Sequence, residues 1–424
     1  MRVLVTSFAH SSHFGCMVPP AWALRAAGHE VQVLSQPALT AAVTGAGLTA
    51  VPVGTDDFLA IAEAQMQGGA ALPPEARLYG ATPDEATWEG ALGLENIMIA
   101  FPTLFNDDRF IDDVVSYARQ WRPDLVLWEP WTPAGAVAAR VTGAAHARML
   151  WSLDFLGMAR QTFTTLRDRQ PEAHREDPLA EWLTWTVERY GGDFDEELVT
   201  GQWTISTMPP SLRLPVDLPV LDMRYIPYNG AAVVPDWLRE PAKRPRVCLT
   251  LGETGRTTLP GDSFSPPLLV EALADLDIEL IATLDESQRG SLERVPDNTR
   301  IVDFVPLHAL LPSCSLVISH AGAGSFNTAL YNGVPQLLIA DLLDAPLKAR
   351  GLAERGAGLA FHPEGLDVEQ VRAGVVRMLA ESSFTEEAAR LREELHALPT
   401  PAQLVPELER LVERHRGRSA DRGE

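Results

Sequence analysis

Val3-Leu-Val-Thr6, Ser7-Phe-Ala-His10-Ser-Ser-His13-Phe-Gly15, Pro20 to Ala27, Gly28-His29 and Val31-Gln-Val-Leu34 all fall at the start of the chain, in that order. A short β-branched run, a polar loop, a helical stretch, a glycine stop and a second β-branched run spell a strand–helix–strand unit, whose two strands pair in parallel. The pattern returns with a helix over Asp112 to Trp121, a Pro-Asp break, a strand over Leu125 to Trp128 and a further helix after Pro130-Trp131. A parallel α/β sheet is expected for the first half of the chain.

At 424 residues the chain is longer than one hydrophobic core usually serves, so two domains of about 200 residues each are expected. Eight prolines between Pro209 and Pro245 are too dense for a helix or a central strand and read as a linker. A second series of strands follows at Arg246 to Leu251, Glu279 to Thr283, Ile301 to Phe304, Leu316 to Ser319 and Gln336 to Ile339. The expected division is a Rossmann-like domain over 1–208, the linker 209–245, a second Rossmann-like domain over 246–400, and a C-terminal helix with a frayed tail over 401–424. Two such halves facing across a cleft hold ligands at the carboxyl ends of their strands. Residues 56–110 are less regular and read as an insertion that covers a site or meets a partner.

The formal charge of −22 repels polyanions and argues against nucleic acid as a partner. No long apolar run suggests a membrane span or a signal peptide, and a cytoplasmic protein is expected. Cys16, Cys248 and Cys314 show no metal-ligand spacing and read as small apolar fillers. Lysine occurs only at Lys243 and Lys348, a compositional bias to which the sequence attaches no function.

Chemistry concentrates in four places. Leu316-Val-Ile-Ser-His320-Ala-Gly322-Ala-Gly324-Ser325 is an apolar strand entering a small-residue turn that opens a helix, expected over Phe326 to Tyr331. Backbone amides and the helix dipole bind phosphate there, although a glycine turn can also be a plain tight connection. His320 sharpens the phosphate reading, because an imidazole at a helix start can donate a charge-assisted bond. In the first loop, His10 and His13 precede a helix, and an imidazole there suits proton removal from an alcohol; for His10, capping the helix or facing water is the preferred reading. Glu129 ends the strand Leu125 to Trp128 and can hold an imidazole tautomer, with a helix-start charge as the alternative. Asp344 follows another strand end, where it is suited to accept from sugar hydroxyls or to sit in a solvated loop. Asp275-Leu-Asp277 formally matches a metal-binding acid pair, but it lies where a helix turns into a strand, so no metal is expected.

With these segments quoted, the sequence resembles the bacterial antibiotic glycosyltransferases of GT-B fold, in particular those that attach deoxyaminosugars to macrolide or anthracycline aglycones. The likeness also runs through Trp121-Arg-Pro-Asp-Leu-Val-Leu-Trp-Glu-Pro130, His174-Arg-Glu-Asp-Pro-Leu-Ala-Glu-Trp182, Gly201-Gln-Trp-Thr204, Met223-Arg-Tyr-Ile-Pro-Tyr-Asn-Gly230 and Val305-Pro-Leu-His-Ala-Leu-Leu311. It implies His13 as general base with Glu129 as its partner. It implies Phe304 and Val305 on a thymine base, His320, Gly322, Gly324 and Ser325 on a diphosphate, and Asp344 on the sugar. Glu253 stands where a small hydroxyl residue is usual, leaving Thr254 to serve near the phosphates. Ala345 replaces a common Gln after Asp344, which suits a sugar with fewer hydroxyls, and Ala321 and Ser325 replace Gly and Thr conservatively.

The implied reaction is an inverting single displacement. A polyketide hydroxyl, deprotonated by His13, attacks the anomeric carbon of a dTDP-deoxysugar, with no cofactor or metal. The subgroup resembled works with a cytochrome-like helper protein that lacks haem, expected to meet the chain at 56–110, and a homodimer is a further expected assembly. A nucleotide-sugar epimerase of the same fold and a non-catalytic nucleotide-sugar binder are the alternatives; the first would turn over donor without acceptor.

Overall fold

The computed structural model describes residues 1–61, 82–251, 265–290, 292, 294–341 and 343–421. The chain forms two compact units, one of Met1–Thr207, Arg213–Arg224 and Pro399–Glu424, the other of Met208–Leu212 and Tyr225–Leu398.

The first unit is built on a parallel sheet of β1 (Arg2–Thr6), β2 (Glu30–Ser35), β3 (Thr49–Pro52), β4 (Leu125–Trp128), β5 (Ala145–Met149), β6 (Trp203–Ser206) and β7 (Val220–Asp222), in the order β3-β2-β1-β4-β5-β6-β7. Its helices include α1 (Ser11–Ala26), α2 (Trp88–Phe105), α3 (Asp108–Trp121), α4 (Ala134–Thr142), α5 (Phe155–Asp168) and α6 (Pro178–Glu188). β1 and β4 lie side by side with Thr6 opposite Trp128, so the segments that follow them emerge next to each other. Close packing fixes the carboxyl ends of this pair: a Cβ on Gly135 of α4 would sit 2.2 Å from Thr6 Oγ1 and 2.7 Å from Trp128 Cβ. Only glycine lets α4 lie this close to the sheet.

Several elements differ from their sequence reading. α1 begins at Ser11, nine residues before the expected start at Pro20, and carries Pro19 and Pro20 inside it. Its start is set by the extended backbone of His10, whose carbonyl accepts from the amides of His13 and Phe14 at 3.1 Å each. The irregular region contains an 18-residue helix, α2, with Thr87 capping it by accepting from the Gly90 amide at 3.1 Å. β7 lies within the proline-rich segment, which is tolerable because it occupies the edge of the sheet. The C-terminal helix runs over Pro401–Asp421 and belongs to the first unit, where Glu409 meets His29 at 3.0 Å.

The second unit holds β8 (Arg246–Thr250), β9 (Glu279–Thr283), β10 (Thr299–Val302), β11 (Leu316–Ser319), β12 (Gln336–Ile339) and β13 (Gly358–Phe361), all parallel in the order β10-β9-β8-β11-β12-β13. β10 starts and ends two residues earlier than the sequence suggested, which leaves Phe304 past its end. α7 (Ala323–Asn332) follows β11 and α8 (Ala345–Glu354) follows β12. Both sheets are thus Rossmann-like. No helix among the described residues is long and apolar enough to cross a membrane.

Candidate functional site

At the carboxyl ends of β1 and β4, His13 meets Glu129: His13 Nδ1 lies 3.1 Å from Glu129 Oε2. His13 is the third residue of α1 and not a loop residue, a correction that explains how its ring is held. Glu129 is completely buried and is ringed by donors. The Trp131 amide donates to Oε2 at 3.0 Å, and the Thr132 hydroxyl donates to Oε1. Thr132 Oγ1 itself accepts from the Phe8 amide at 2.8 Å, which turns its own hydrogen toward the carboxylate. Glu129 therefore acts as an acceptor at every contact, and His13 must carry its hydrogen on Nδ1. That tautomer leaves Nε2 as the basic nitrogen on a ring that keeps some exposure.

Aromatic rings enclose this pair. Phe8 meets the His13 ring edge-on at 4.7 Å, and Trp151 lies 4.3 Å away, tilted by 48°. Phe105 stacks on Phe8 at 4.2 Å, Phe58 abuts both, and Phe101 packs on Trp131 at 5.3 Å. Such a lining favours a large apolar ligand beside the His13 ring. His10 sits at the N-cap position with its Nδ1 2.7 Å from Ser12 Oγ and makes no side-chain cap bond. Burial, and then the neighbouring His13, push its pKa down to about 3, so it is a neutral ring.

In the second unit, β11 leads into the His320 turn. Ala321 adopts φ 61°, a left-handed conformation that costs a residue with a Cβ about 1–2 kcal/mol, so exchanging the usual Gly for Ala here is not conservative. Gly322 is the N-cap of α7, with no side chain capping the helix. A Cβ at Gly322 would lie 2.6 Å from His320 Nε2, which shows that the imidazole lies against this glycine. Ser325 is buried and donates to the Gly322 carbonyl at 3.0 Å, so its hydroxyl is engaged within the helix start.

Burial first, and then the ammonium of Lys348, hold the His320 pKa at about 4, with Asp344 partly opposing. The imidazole is neutral near pH 7, so the charge-assisted phosphate bond suggested by the sequence is not pre-formed. Phe304 is 57% exposed beyond β10, whereas Val305 is buried in the core with Leu310 and Val317 and offers only its backbone to a ligand. Asp344 is buried and forms an ion pair with Lys348 at 3.0 Å, and so is not a solvated loop acid. Asp341, which the sequence reading passed over, is an exposed acid two residues past the end of β12. Thr254 lies outside the described residues.

Asp275 is bonded to Arg372 and Asp277 to Arg244, the latter at 3.1 Å. Among the described residues no group of three His, Cys, Asp or Glu side chains is placed to hold a metal ion. Sequence reasoning missed Thr132, Trp151 and Lys348. Only Lys348, as one of two lysines in the chain, left a signal that could have been followed.

Comparison with known proteins agrees with this architecture. Residues 22–252 match the family described as Erythromycin biosynthesis protein CIII-like, N-terminal domain, and residues 267–411 match its C-terminal domain. The chain is 58% identical to 10-deoxymethynolide desosaminyltransferase of Streptomyces venezuelae, over 99% of both chains. It is 51% identical to aklavinone 7-beta-L-rhodosaminyltransferase of Streptomyces galilaeus, over 100% of this chain and 98% of the relative. Among solved structures, glycosyltransferase VinC in complex with dTDP superposes with a TM-score of 0.87 at 42% identity, covering 98% of this chain and 100% of VinC. Both the two-sheet GT-B fold and the glycosyltransferase class follow.

Proposed function

Because the chain belongs to the erythromycin biosynthesis protein CIII-like family of glycosyltransferases, we propose that it moves a deoxyaminosugar from a dTDP-sugar to a hydroxyl of a macrolide or anthracycline type polyketide, with inversion at the anomeric carbon. The observation that carries this reading is the His13–Glu129 pair inside an aromatic enclosure. Nε2 of His13 takes the proton of the acceptor hydroxyl as its oxygen attacks, and Glu129 stabilises the imidazolium that results. The apolar rings suit a polyketide better than a second sugar.

In the other unit, the amides at the start of α7, around Gly322, Gly324 and Ser325, meet the leaving diphosphate together with His320. Phe304 stacks on the thymine beside the backbone of Val305, and the remaining oxygen of Asp344 accepts from the sugar. Thr254 completes the phosphate contacts. The leaving charge is taken up by the protein without a metal. The 56–110 region is the proposed docking place of an activator protein, a reading supported by α2, which brings Phe101 and Phe105 to the enclosure around His13. Three unpaired cysteines suit the cytoplasm as the place of reaction.

The test is mass spectrometry of products from a panel of dTDP-sugars against macrolactone and anthracyclinone acceptors, run with and without a candidate activator. A glycosylated aglycone that appears only when both substrates are present is expected. Conversion of the nucleotide sugar without any acceptor would instead establish an epimerase.

A further inference from the structure

Lys348 is one of two lysines in the chain and is only 3% exposed. It is the fourth residue of α8, and its ammonium lies 3.0 Å from Asp344 Oδ2, in a contact with the distance of an ion pair but without the alignment of a hydrogen bond. The same ammonium sits over the ring of Phe326, 5.7 Å from its centre, and is close enough to His320 to act on its charge. His320 Nδ1 is buried and has no hydrogen-bond partner in the described structure.

As a stability device this arrangement is poor. A cation in the first turn of a helix opposes the helix dipole. A buried ion pair recovers its desolvation cost only with good geometry and further hydrogen bonds, and this one lacks alignment. What the arrangement does provide is a fixed positive charge where β11 and β12 deliver two helix starts, α7 and α8, at the strand ends that bind ligands in such sheets. Resting on the donor-site reading above, we propose that Lys348 is a donor-binding residue: its ammonium meets the diphosphate, and Asp344 is its counter-ion while the site is empty. Binding then exchanges one carboxylate partner for a dianion, and the neighbouring His320 supplies a neutral N–H alongside.

The experiment is calorimetric titration of dTDP and of thymidine into the wild type, Lys348→Met and Lys348→Arg, with His320→Ala in parallel. Loss of a charge-assisted contact should weaken dTDP binding by Lys348→Met about ten- to hundredfold, and Lys348→Arg should stay within about fivefold of wild type. Thymidine, which lacks the phosphates, should bind all forms alike; a merely structural lysine would not separate the two ligands. If Lys348→Met alone fails to fold, the double variant Asp344→Asn/Lys348→Met, which strands no unpaired charge, carries the same measurement. Unchanged dTDP affinity without Lys348, while His320→Ala weakens it, overturns the role of Lys348 and leaves the donor site standing. Unchanged affinity in both overturns the donor site and this inference with it.

Discussion

Each sheet places a histidine beyond the carboxyl end of an interior strand, His13 after β1 and His320 after β11, and the two rings are prepared in opposite ways. His13 has a buried carboxylate behind Nδ1, itself held by Trp131 and Thr132. Among the described residues His320 has no hydrogen-bond partner on Nδ1, and it has an ammonium as neighbour. A carboxylate behind the ring stabilises the imidazolium, so the first histidine is suited to take a proton. An ammonium beside the ring disfavours a second positive charge, so the other is suited to donate a hydrogen bond while neutral. Residue type and topological position are alike; the sign of the charge behind the ring decides the chemistry.

The comparison breaks most visibly at His13. His13→Ala should lower the transfer rate by about a hundredfold or more, the usual range for a general base, and leave dTDP affinity within about twofold. Single-turnover rates and dTDP titration measure the two halves. More than about a tenth of the wild-type rate in the variant would remove His13 from the base role.

Glu129→Gln tests the carboxylate itself. The amide oxygen can still accept from His13 and Trp131, so the ring stays in place while the charge behind it is gone. A loss of about ten- to hundredfold in rate is expected, as for other residues that orient a reactive imidazole. A rate within about twofold of wild type would mean that Glu129 only packs.

The two sites also differ in how far they could be read from sequence. β1, β4, β11 and β12 were legible because each carries a run of three or more apolar residues, and Glu129 and His320 followed from being the next residues after β4 and β11. β5 was not, because Ala145-His-Ala-Arg-Met149 carries two charged or titratable residues in a fully buried strand. Their cost is met by partners outside the strand: Trp128 Nε1 donates to His146 Nδ1 at 3.2 Å, and Arg148 is bonded to the distant Thr204 and the nearby Asp154. The true start of α1 was hidden by Pro19-Pro20, which local propensity reads as a break. The aromatic enclosure of His13 draws on Phe8, Phe105 and Trp151, residues that only the fold brings together. In the second unit the turn around His320 was legible, but the ammonium beside that ring was not, since Lys348 lies far from it in sequence.

At His320 the expected effect is smaller, because a neutral hydrogen bond is lost and the α7 amides stay. His320→Ala should weaken dTDP by about three- to tenfold and leave acceptor affinity unchanged. The pH dependence has a definite sign. The ring of the empty site titrates at about 4 and a bound dianion raises that value, so acidification from pH 7 favours proton uptake on binding. The advantage of wild type over His320→Ala should therefore widen as pH falls, and level off near pH 4. An advantage that narrows on acidification would show that the ring does not face the phosphates.

The smallest expected effect is that of a chelator. Metal-dependent sugar transferases place a divalent cation against the diphosphate, whose departure it assists as a Lewis acid. In this chain the charges and dipoles proposed for that work are covalently part of the protein: the amides at the start of α7, the N–H of His320 and the ammonium of Lys348. The acid pair most like a metal motif is already engaged, Asp275 with Arg372 and Asp277 with Arg244. Incubation with EDTA followed by gel filtration should therefore leave the transfer rate within error of the untreated enzyme, and added magnesium or manganese should not raise it. Activity lost to the chelator and restored by either ion would place a cation at the diphosphate and reduce His320 and Lys348 to supporting it.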